Sequence, residues 1–409
     1  MPGSRVVIIG GGAAGLSAAI AAAREGAAVT LLEGGARVGR KILASGNGRC
    51  NLTNLGVSSR AYNHPDFVEP TLAAFGCTRI RSFFDGLGLL TYADDEGRVY
   101  PVTNAATSVL DVLRLECAHL AVDERCGFEV ARIQKTSGPT GLDVFSRGAQ
   151  LVRADAVVVA TGGGDSVLAD LGHGRVECVP VLGPIKTELE PIRGLSGIRV
   201  RCAASVLLGA GVESIARERG ELLFRDYGVS GIMIFDLSRY LAEGCVLSID
   251  FFPDFPPEEL GRTISSRCAV LSWRTAATFF DGMLHRRIAQ AILRVAEIDL
   301  ATPVTELPQA QLAALLKDYR LKVTGRGDAE QSQVTRGGVS VDGFDKQTMG
   351  SRIQDGVFAA GEVLDIDGRS GGFNLHWAWA SGIIAGSNAA RWTALAPHAG
   401  ISPPETQRD

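Results

Sequence analysis

Apolar positions along the chain fall into two kinds of run. Short, unbroken β-branched stretches predict strands buried on both faces, and longer runs of small apolar residues predict helices. Arg5–Ile9 (RVVII) is of the first kind, and the alanine-rich run that ends at Ala23 is of the second, with glycines between them. Ala28–Leu32 (AVTLL) predicts a second strand, closed by Glu33. Asp155–Gly162 (DAVVVATG) and Gly356–Glu362 (GVFAAGE) repeat the pattern of an apolar strand running into glycine. Gly371-Gly372-Phe373-Asn374 then opens an apolar helix from Leu375 to Ala389. Val109–Leu120 predicts a further helix, and Glu129–Lys135 with Gly141–Ser146 a hairpin around Ser137-Gly138-Pro139.

The middle of the chain has another texture. Val181–Pro191 is rich in proline, and Pro253–Pro257 punctuates again. Between and after these lie strand candidates at Ile198–Leu208, Glu221–Phe224, Val246–Phe251 and Tyr319–Thr324. A helix is expected within Ser230–Leu241, and two or three helices from Glu258 to Leu316. The domain reading that follows is a first cofactor-binding part over 1–184 and an inserted substrate domain over 185–335. In the insert, the β part covers about 185–252 and the helical part about 253–318. A second cofactor-binding part follows over 336–394, and 395–409 is a tail.

Composition narrows the class. With 409 residues, 46% hydrophobic and 21% charged, the chain is an ordinary globular protein with room for two or three domains. Its 50 glycines are about 12% against a usual ~7%, which suits an α/β enzyme with phosphate loops. A formal net charge of −4 without a basic run argues against nucleic acid as a partner. The eight cysteines form no CxxC pair and no cluster with zinc spacing, so no metal is expected and the thiols are read as reduced, in a cytoplasm. A strand starting by Arg5 leaves no room for a signal peptide. The apolar stretch Val6–Ala23 is broken by glycine at 10–12, which fits strand, turn and helix better than a membrane span.

The chemistry begins at that break. Gly10-Gly11-Gly12-Ala13-Ala14-Gly15 is a G-x-G-x-x-G between strand and helix, and Glu33 ends the next strand. Gly10 allows the tight turn, Gly12 the close approach of a pyrophosphate to the helix N-terminus, and Gly15 the packing of helix on strand. Glu33 is placed to accept hydrogen bonds from an adenosine ribose, and its charge disfavours a 2′-phosphate. Downstream, Arg40 and Lys41 precede Ser45-Gly46-Asn47-Gly48-Arg49-Cys50-Asn51, a polar glycine-rich loop where a plain nicotinamide domain would carry a helix. Such a loop lets backbone approach a flat ring, which favours FAD. Ala160-Thr161-Gly162 and Gly361-Glu362 end parallel strands and point to the same crevice. Glu362 suits a ribityl chain, and the helix starting at Gly372-Phe373-Asn374 directs partial positive charge toward the N1/O2 side of the ring.

These residues resemble the aminoacetone-oxidase-like FAD-binding flavoproteins, the family that also includes proposed bile-acid ene-reductases. The likeness covers nearly the whole chain. It rests on GGGAAGLSAA, GRKILASGNGRCNLTN, RVYPVTNAATSVLDVL, GELLFRDYGVSG, QVTRGGVSVDGFDKQTM and VFAAGEVLDIDGRSGGFNLHWAWASG. The resemblance implies an α/β flavoprotein of the two-dinucleotide-binding type, its Rossmann-like FAD domain split by a barrel-like sheet and a helical bundle. It implies adenosine-diphosphate contacts at Gly10, Gly12, Ala14 and Glu33, a loop along the cofactor at Arg40, Lys41, Cys50 and Asn51, and backbone contact to adenine at Val130. Glu362 and Asn374 match the ribityl and flavin end. Cys50 is read as a small residue packed under the flavin rather than a redox group. The chain departs from the family at Gly162-Gly163-Gly164-Asp165, which passes straight to Ser166 and a short helix toward His173. It departs again at Arg336, where a small residue is usual, and at His376, where Gln is usual.

The expected activity is hydride transfer between flavin N5 and a small organic substrate, ene-reductase-like, with non-covalent FAD. No second complete G-x-G-x-x-G follows Thr161, so NAD(P)H would bind transiently at the flavin. An amine-oxidase-like enzyme using O2, a flavin monooxygenase and a non-catalytic redox sensor remain open. Arg49, Tyr227, Ser230, Arg336 and His376 are the candidate catalytic groups, and Tyr227–Gly231 also reads as a strand-to-helix turn with Ser230 as N-cap. Of these, Arg336 or His376 is expected to hold an anionic or carbonyl-bearing substrate. No membrane partner is expected, and the oligomeric state is not legible.

Overall fold

The computed structural model describes residues 4–136, 141–164, 167–208, 213–242, 244–327 and 332–395. The turn at Ser137-Gly138-Pro139, the Asp165–Ser166 step and the tail from 396 lie outside these. Chain contacts divide the protein into two compact units, 1–179 with 334–409, and 180–333.

The first unit is built on a five-stranded parallel sheet. Its order is Val357–Ala359, Ala156–Val159, Arg5–Ile9, Ala28–Glu33 and Asp123–Cys126. Ala156–Val159 and, beyond Arg5, Arg5–Ile9 are buried throughout, as their unbroken apolar sequence requires, and Ala28–Glu33 is buried at Val29, Leu31 and Leu32. Both strands that run into glycine are shorter than their apolar run. After Ala359 the chain turns through a 3-10 segment, Gly361–Val363, in which Gly361 has φ +75°. The sheet carries two helices packed on each other, Ala13–Arg24 and the long Phe373–Leu395. Their contact is between backbones. A Cβ on Gly382 would lie 2.4 Å from the Ala14 carbonyl oxygen, and one on Gly386 would lie 2.1 Å from that of Ala18. Glycine one turn apart therefore sets how closely the last helix approaches the first. The helix expected at Val109–Leu120 runs Ala106–His119. The expected hairpin pairs Val130–Lys135 with Leu142–Ser146.

The chain leaves this unit through Arg175–Val181 and returns through Val334–Val339, which pair with each other. The second unit holds a closed six-stranded barrel. Its order is Ile185–Thr187, Gly228–Ser230, Glu213–Arg225, Arg199–Leu208, Val246–Asp250 and Tyr319–Arg326. Glu213–Arg225 is far longer than the Glu221–Phe224 read from the sequence. Its first half, ESIARERG, is solvated and polar, and its place is fixed by pairing with Arg199–Leu208 rather than by apolar alternation. The helix expected over Ser230–Leu241 spans only Ile232–Ser238, and its N-cap is Gly231 at φ +116°, not Ser230. The helical part carries Pro257–Val270, Ala276–Phe279, Arg286–Val295 and Gln309–Lys317, one short helix more than expected. Its apolar faces and the barrel interior share one core. Among the described residues, no helix is long and apolar enough to cross a membrane.

Candidate active site

At the end of the first strand, Gly10 turns the chain with φ +103°, and its N–H donates to the Leu32 carbonyl at 2.7 Å. A Cβ on Gly10 would meet the Ala160 carbonyl oxygen at 2.4 Å, and one on Gly15 would meet the Gly10 carbonyl oxygen at 1.8 Å. Both positions are glycine because strand tips and helix touch there. Gly12 differs, since nothing lies within 4 Å of its Cβ position. It is the N-cap of Ala13–Arg24 and caps it with no side chain, so the helix N–H groups open onto free space suited to an anion. Glu33 is part-buried, with Oε2 accepting from Gly11 N–H and Oε1 from Gly35 N–H, both at 2.7 Å. The carboxylate thus holds the glycine loop and keeps lone pairs for a ribose. Its own carbonyl accepts from Phe128 N–H, which brings the strand beginning at Val130 beside it.

The other end gathers residues that are remote in sequence. Glu362, in the Gly361–Val363 turn, accepts from Thr335 N–H at 2.6 Å and from Lys41 Nζ at 2.9 Å. A Cβ on Gly163 would lie 3.1 Å from Glu362 Oε1, and one on Gly162 would lie 3.2 Å from Lys41 Nζ. The Ala160-Thr161-Gly162 turn therefore runs directly past this ion pair. Arg40 and Lys41 begin a short helix, Arg40–Ala44, and a 3-10 turn Ser45–Gly48 follows. The expected open loop is thus wound up, with Gly46 and Asn47 both at φ 55°. Asn47, Gly48 and Arg49 are exposed, and the Arg49 guanidinium lies over the Tyr100 ring at 4.8 Å. That contact gives Arg49 a structural partner. Cys50 is wholly buried, and burial pushes its thiol up to about 12, which suits packing and opposes thiolate chemistry.

Asn51 is the informative member of the loop. It is buried, and its Oδ1 has no hydrogen-bond partner. The Cβ position of Gly372 lies 2.8 Å from that oxygen. Gly371 and Gly372, at φ +98° and +102°, lead into the last helix. An unmet buried acceptor beside a helix N-terminus suits a group with an N–H next to a carbonyl. The pyrimidine edge of a flavin has that pattern, and the open cradle at Gly12 suits a pyrophosphate, so these residues fit FAD. Phe373 sets its ring edge against Tyr62, whose hydroxyl donates to the Phe373 carbonyl at 2.8 Å. Asn374 departs from expectation. Its Oδ1 accepts from Gly368 N–H, and its Nδ2 donates to the carbonyls of Gly368 and Arg369. Both donors are used on the preceding loop, so the side chain shapes the crevice instead of reaching into it.

The catalytic candidates separate. His376 is wholly buried, with Nε2–H donating to the Phe75 carbonyl at 2.9 Å. That bond leaves Nδ1 as acceptor for the Thr53 hydroxyl at 2.7 Å. With both nitrogens committed and no exposed surface, it does not meet a substrate, which corrects the sequence expectation. Burial lowers its pKa to about 4, so the ring is neutral. Arg336, in Val334–Val339, is half-buried with Nε 3.5 Å from Oδ2 of Asp367, which has no exposure. Tyr227 and Ser230 belong to the second unit, Tyr227 in the turn before Gly228–Ser230 and Ser230 buried at that strand's end.

Sequence reading missed Asp365 and Asp367. Asp365 accepts from Gly337 N–H at 3.0 Å and pairs with His64 Nε2 at 3.0 Å. The available signal was two carboxylates alternating with apolar residues in VLDIDG, a pattern that leaves charge inside a strand-like run. Among the described residues, no group of three or more His, Cys, Asp or Glu gathers to hold a metal.

Comparison with known proteins agrees with this geometry. The family described as HI0933-like protein Rossmann domain matches residues 4–388. A 3-dehydro-bile acid delta(4,6)-reductase from Clostridium scindens is 33% identical over 95% of this chain and 99% of its own. A ribosomal RNA dihydrouridine synthase from Escherichia coli is 30% identical over 92% of this chain and 95% of its own. One of the same name from Haemophilus influenzae is 25% identical over 95% and 99%. With that match running from the first strand through most of the last helix, the chain belongs to the HI0933-like Rossmann-domain family and is an FAD-dependent oxidoreductase.

Proposed function

We propose that the protein reduces a carbon–carbon double bond conjugated to a carbonyl in a small molecule, with NAD(P)H as hydride donor. One observation carries this reading. Two relatives named for quite different substrates, a bile acid and ribosomal RNA, both have names that describe hydrogen added across such a bond, and this chain spans each almost end to end. A net charge of −4 favours a small molecule over RNA here.

FAD supplies hydride at its N5 when bound. The chain supplies position and charge. Gly10–Gly12 and the helix behind them would hold the pyrophosphate, with Arg40 and Lys41 to neutralise it. Glu33 would accept from the ribose, backbone at Val130 would meet the adenine, and Glu362 would accept from the ribityl chain. Asn51 Oδ1, beside the Gly372–Phe373 helix start, would accept from the ring imide.

Anaerobic bleaching of the flavin tests this reading. NADPH should bleach it, and a steroid 4-en-3-one should then restore the yellow colour while gaining two mass units. Bleaching by amines but not by NADPH, followed by rapid reoxidation in air, would replace the proposal with an amine oxidase. Reoxidation by uridine in ribosomal RNA but not by any small enone would move the substrate to RNA.

A further inference from the structure

The motif RVYPVTNAATSVLDVL contributes no residue to the cofactor contacts above, yet it sets a tyrosine beside them. Arg98–Pro101 is the middle strand of a three-stranded antiparallel sheet, between Thr53–Asn54 and Thr91–Ala93. Asn54 lies opposite Arg98, and Tyr92 opposite Tyr100, so these four side chains share one face. That face meets the candidate site at two points. Asn54 Nδ2 donates to the Gly371 carbonyl at 3.0 Å, and a Cβ on Gly371 would lie 3.9 Å from Arg98 Cγ. A Cβ on Gly46 would lie 3.7 Å from Tyr100 Cε1, next to the hydroxyl-bearing carbon, and 2.9 Å from the Asn51 backbone nitrogen. Gly46 thus separates the hydroxyl end of Tyr100 from Asn51, the residue fitted to the flavin edge.

Tyr100 is built unlike a surface tyrosine. It is 4% exposed, Arg49 covers its ring at 4.8 Å, and the Tyr92 ring lies 6.0 Å away. Its hydroxyl has no hydrogen-bond partner among the described residues, and it does not belong to the wholly buried polar atoms. The ring is therefore fixed and the O–H tip open. Tyr92 differs, since its hydroxyl donates to Asn104 Oδ1 at 2.7 Å. Burial, helped by Asp94, holds the Tyr100 phenol above its ordinary range, so it carries its proton at neutral pH, while Arg98 and Arg49 favour the phenolate. A proton kept at rest, beside fixed cations that stabilise the anion left behind, suits a general acid.

We propose that Tyr100 is a catalytic residue, the general acid that gives a proton to the α-carbon of the substrate, with Arg49 as its positioning residue. This rests on the enone-reductase reading. As hydride reaches the β-carbon, the C=C pair shifts to form the enolate, and charge gathers on the carbonyl oxygen. The enolate then takes the proton of the Tyr100 O–H, which forms the α C–H bond and restores the C=O. The hydride and its two electrons come from NAD(P)H by way of the flavin. The Tyr100 phenolate recovers its proton from water.

The test separates the two half-reactions of the FAD-loaded enzyme, without oxygen, in a stopped-flow instrument. Tyr100→Phe keeps the ring under Arg49 and removes the O–H. NADPH should reduce the variant at the wild-type rate, because that step takes no proton from Tyr100. Reoxidation by a steroid 4-en-3-one should slow about 10²–10⁴-fold, the usual contribution of a general acid. In D2O, wild type should place deuterium on one face of the α-carbon. Tyr100→Phe leaves that step to solvent and should place it on both, read by NMR before exchange. Tyr92→Phe, whose hydroxyl is committed to Asn104, should match wild type in both measurements. Unchanged reoxidation in Tyr100→Phe overturns the proposal and leaves the reductase reading standing. Slow reoxidation with deuterium still on one face also overturns it, since Tyr100 would then shape the site without giving the proton. A wild type that NADPH reduces and no enone reoxidises rejects the reductase reading and this proposal together.

Discussion

The buried, neutral ring of His376 should make the flavin-binding unit less stable in mild acid. In the folded protein the ring is buried between Thr53 and the Phe75 carbonyl, and its pKa falls from 6.5 to about 4. Between those two values the unfolded chain binds a proton at His376 and the folded one does not. Stability contributed by the neutral ring is therefore complete above pH 6.5 and is lost as pH falls toward 4, below which the folded state also takes the proton. At about 1.4 kcal/mol per tenfold change in proton affinity, the loss is about 3 kcal/mol. His376→Gln provides the reference. Its amide oxygen can accept from Thr53 and its N–H2 can donate to Phe75, and it does not titrate. Urea unfolding of the FAD-loaded protein, followed by circular dichroism at intervals from pH 4 to 7, gives stability against pH for each. Other titrating groups cancel in the difference. Wild type should lose about 3 kcal/mol more than His376→Gln across this window. Parallel curves would show that His376 is accessible to protons in the folded state, and the burial argument would fall.

Further outcomes follow from other contacts. Acid precipitation should release FAD into the supernatant, and colour kept in the pellet would mean a covalent link. Glu33→Arg should weaken FAD binding by about 1.5–3 kcal/mol, the range for a hydrogen bond to a charged group, since it removes the acceptor for Gly11 and Gly35 as well as for ribose; titration of apoprotein with FAD measures it. Gly386→Val should cost about 1–3 kcal/mol by forcing the last helix off the first, read as a lower urea midpoint. Gly261→Ala, in the helix Pro257–Val270 with nothing within 4 Å of its Cβ, should instead add up to about 1 kcal/mol.

The local parts of the cradle are legible from short-range pattern alone. Strand, glycine turn, helix and terminal acid follow one another within the first thirty-three residues, so backbone geometry and short-range apolar pattern are enough to place the cradle and Glu33. The strand ends at Ala160-Thr161-Gly162 and Gly361-Glu362 were legible for the same reason. Tertiary structure decided what depends on distant partners. His376 reads as a polar residue in a first helical turn, and only Thr53 and Phe75, more than three hundred residues earlier, show that it faces the core. Asp367 reads as a lone acid in an apolar run, and only the returning strand shows that its buried carboxylate lies beside Arg336. Glu213–Arg225 has too little alternation to announce a strand, and barrel pairing makes it one. Gly382 and Gly386 look like breaks in a helix, yet they let it lie against the backbone of the first. Hydrophobic period reports which face of an element is buried; it carries no record of which element will cover that face.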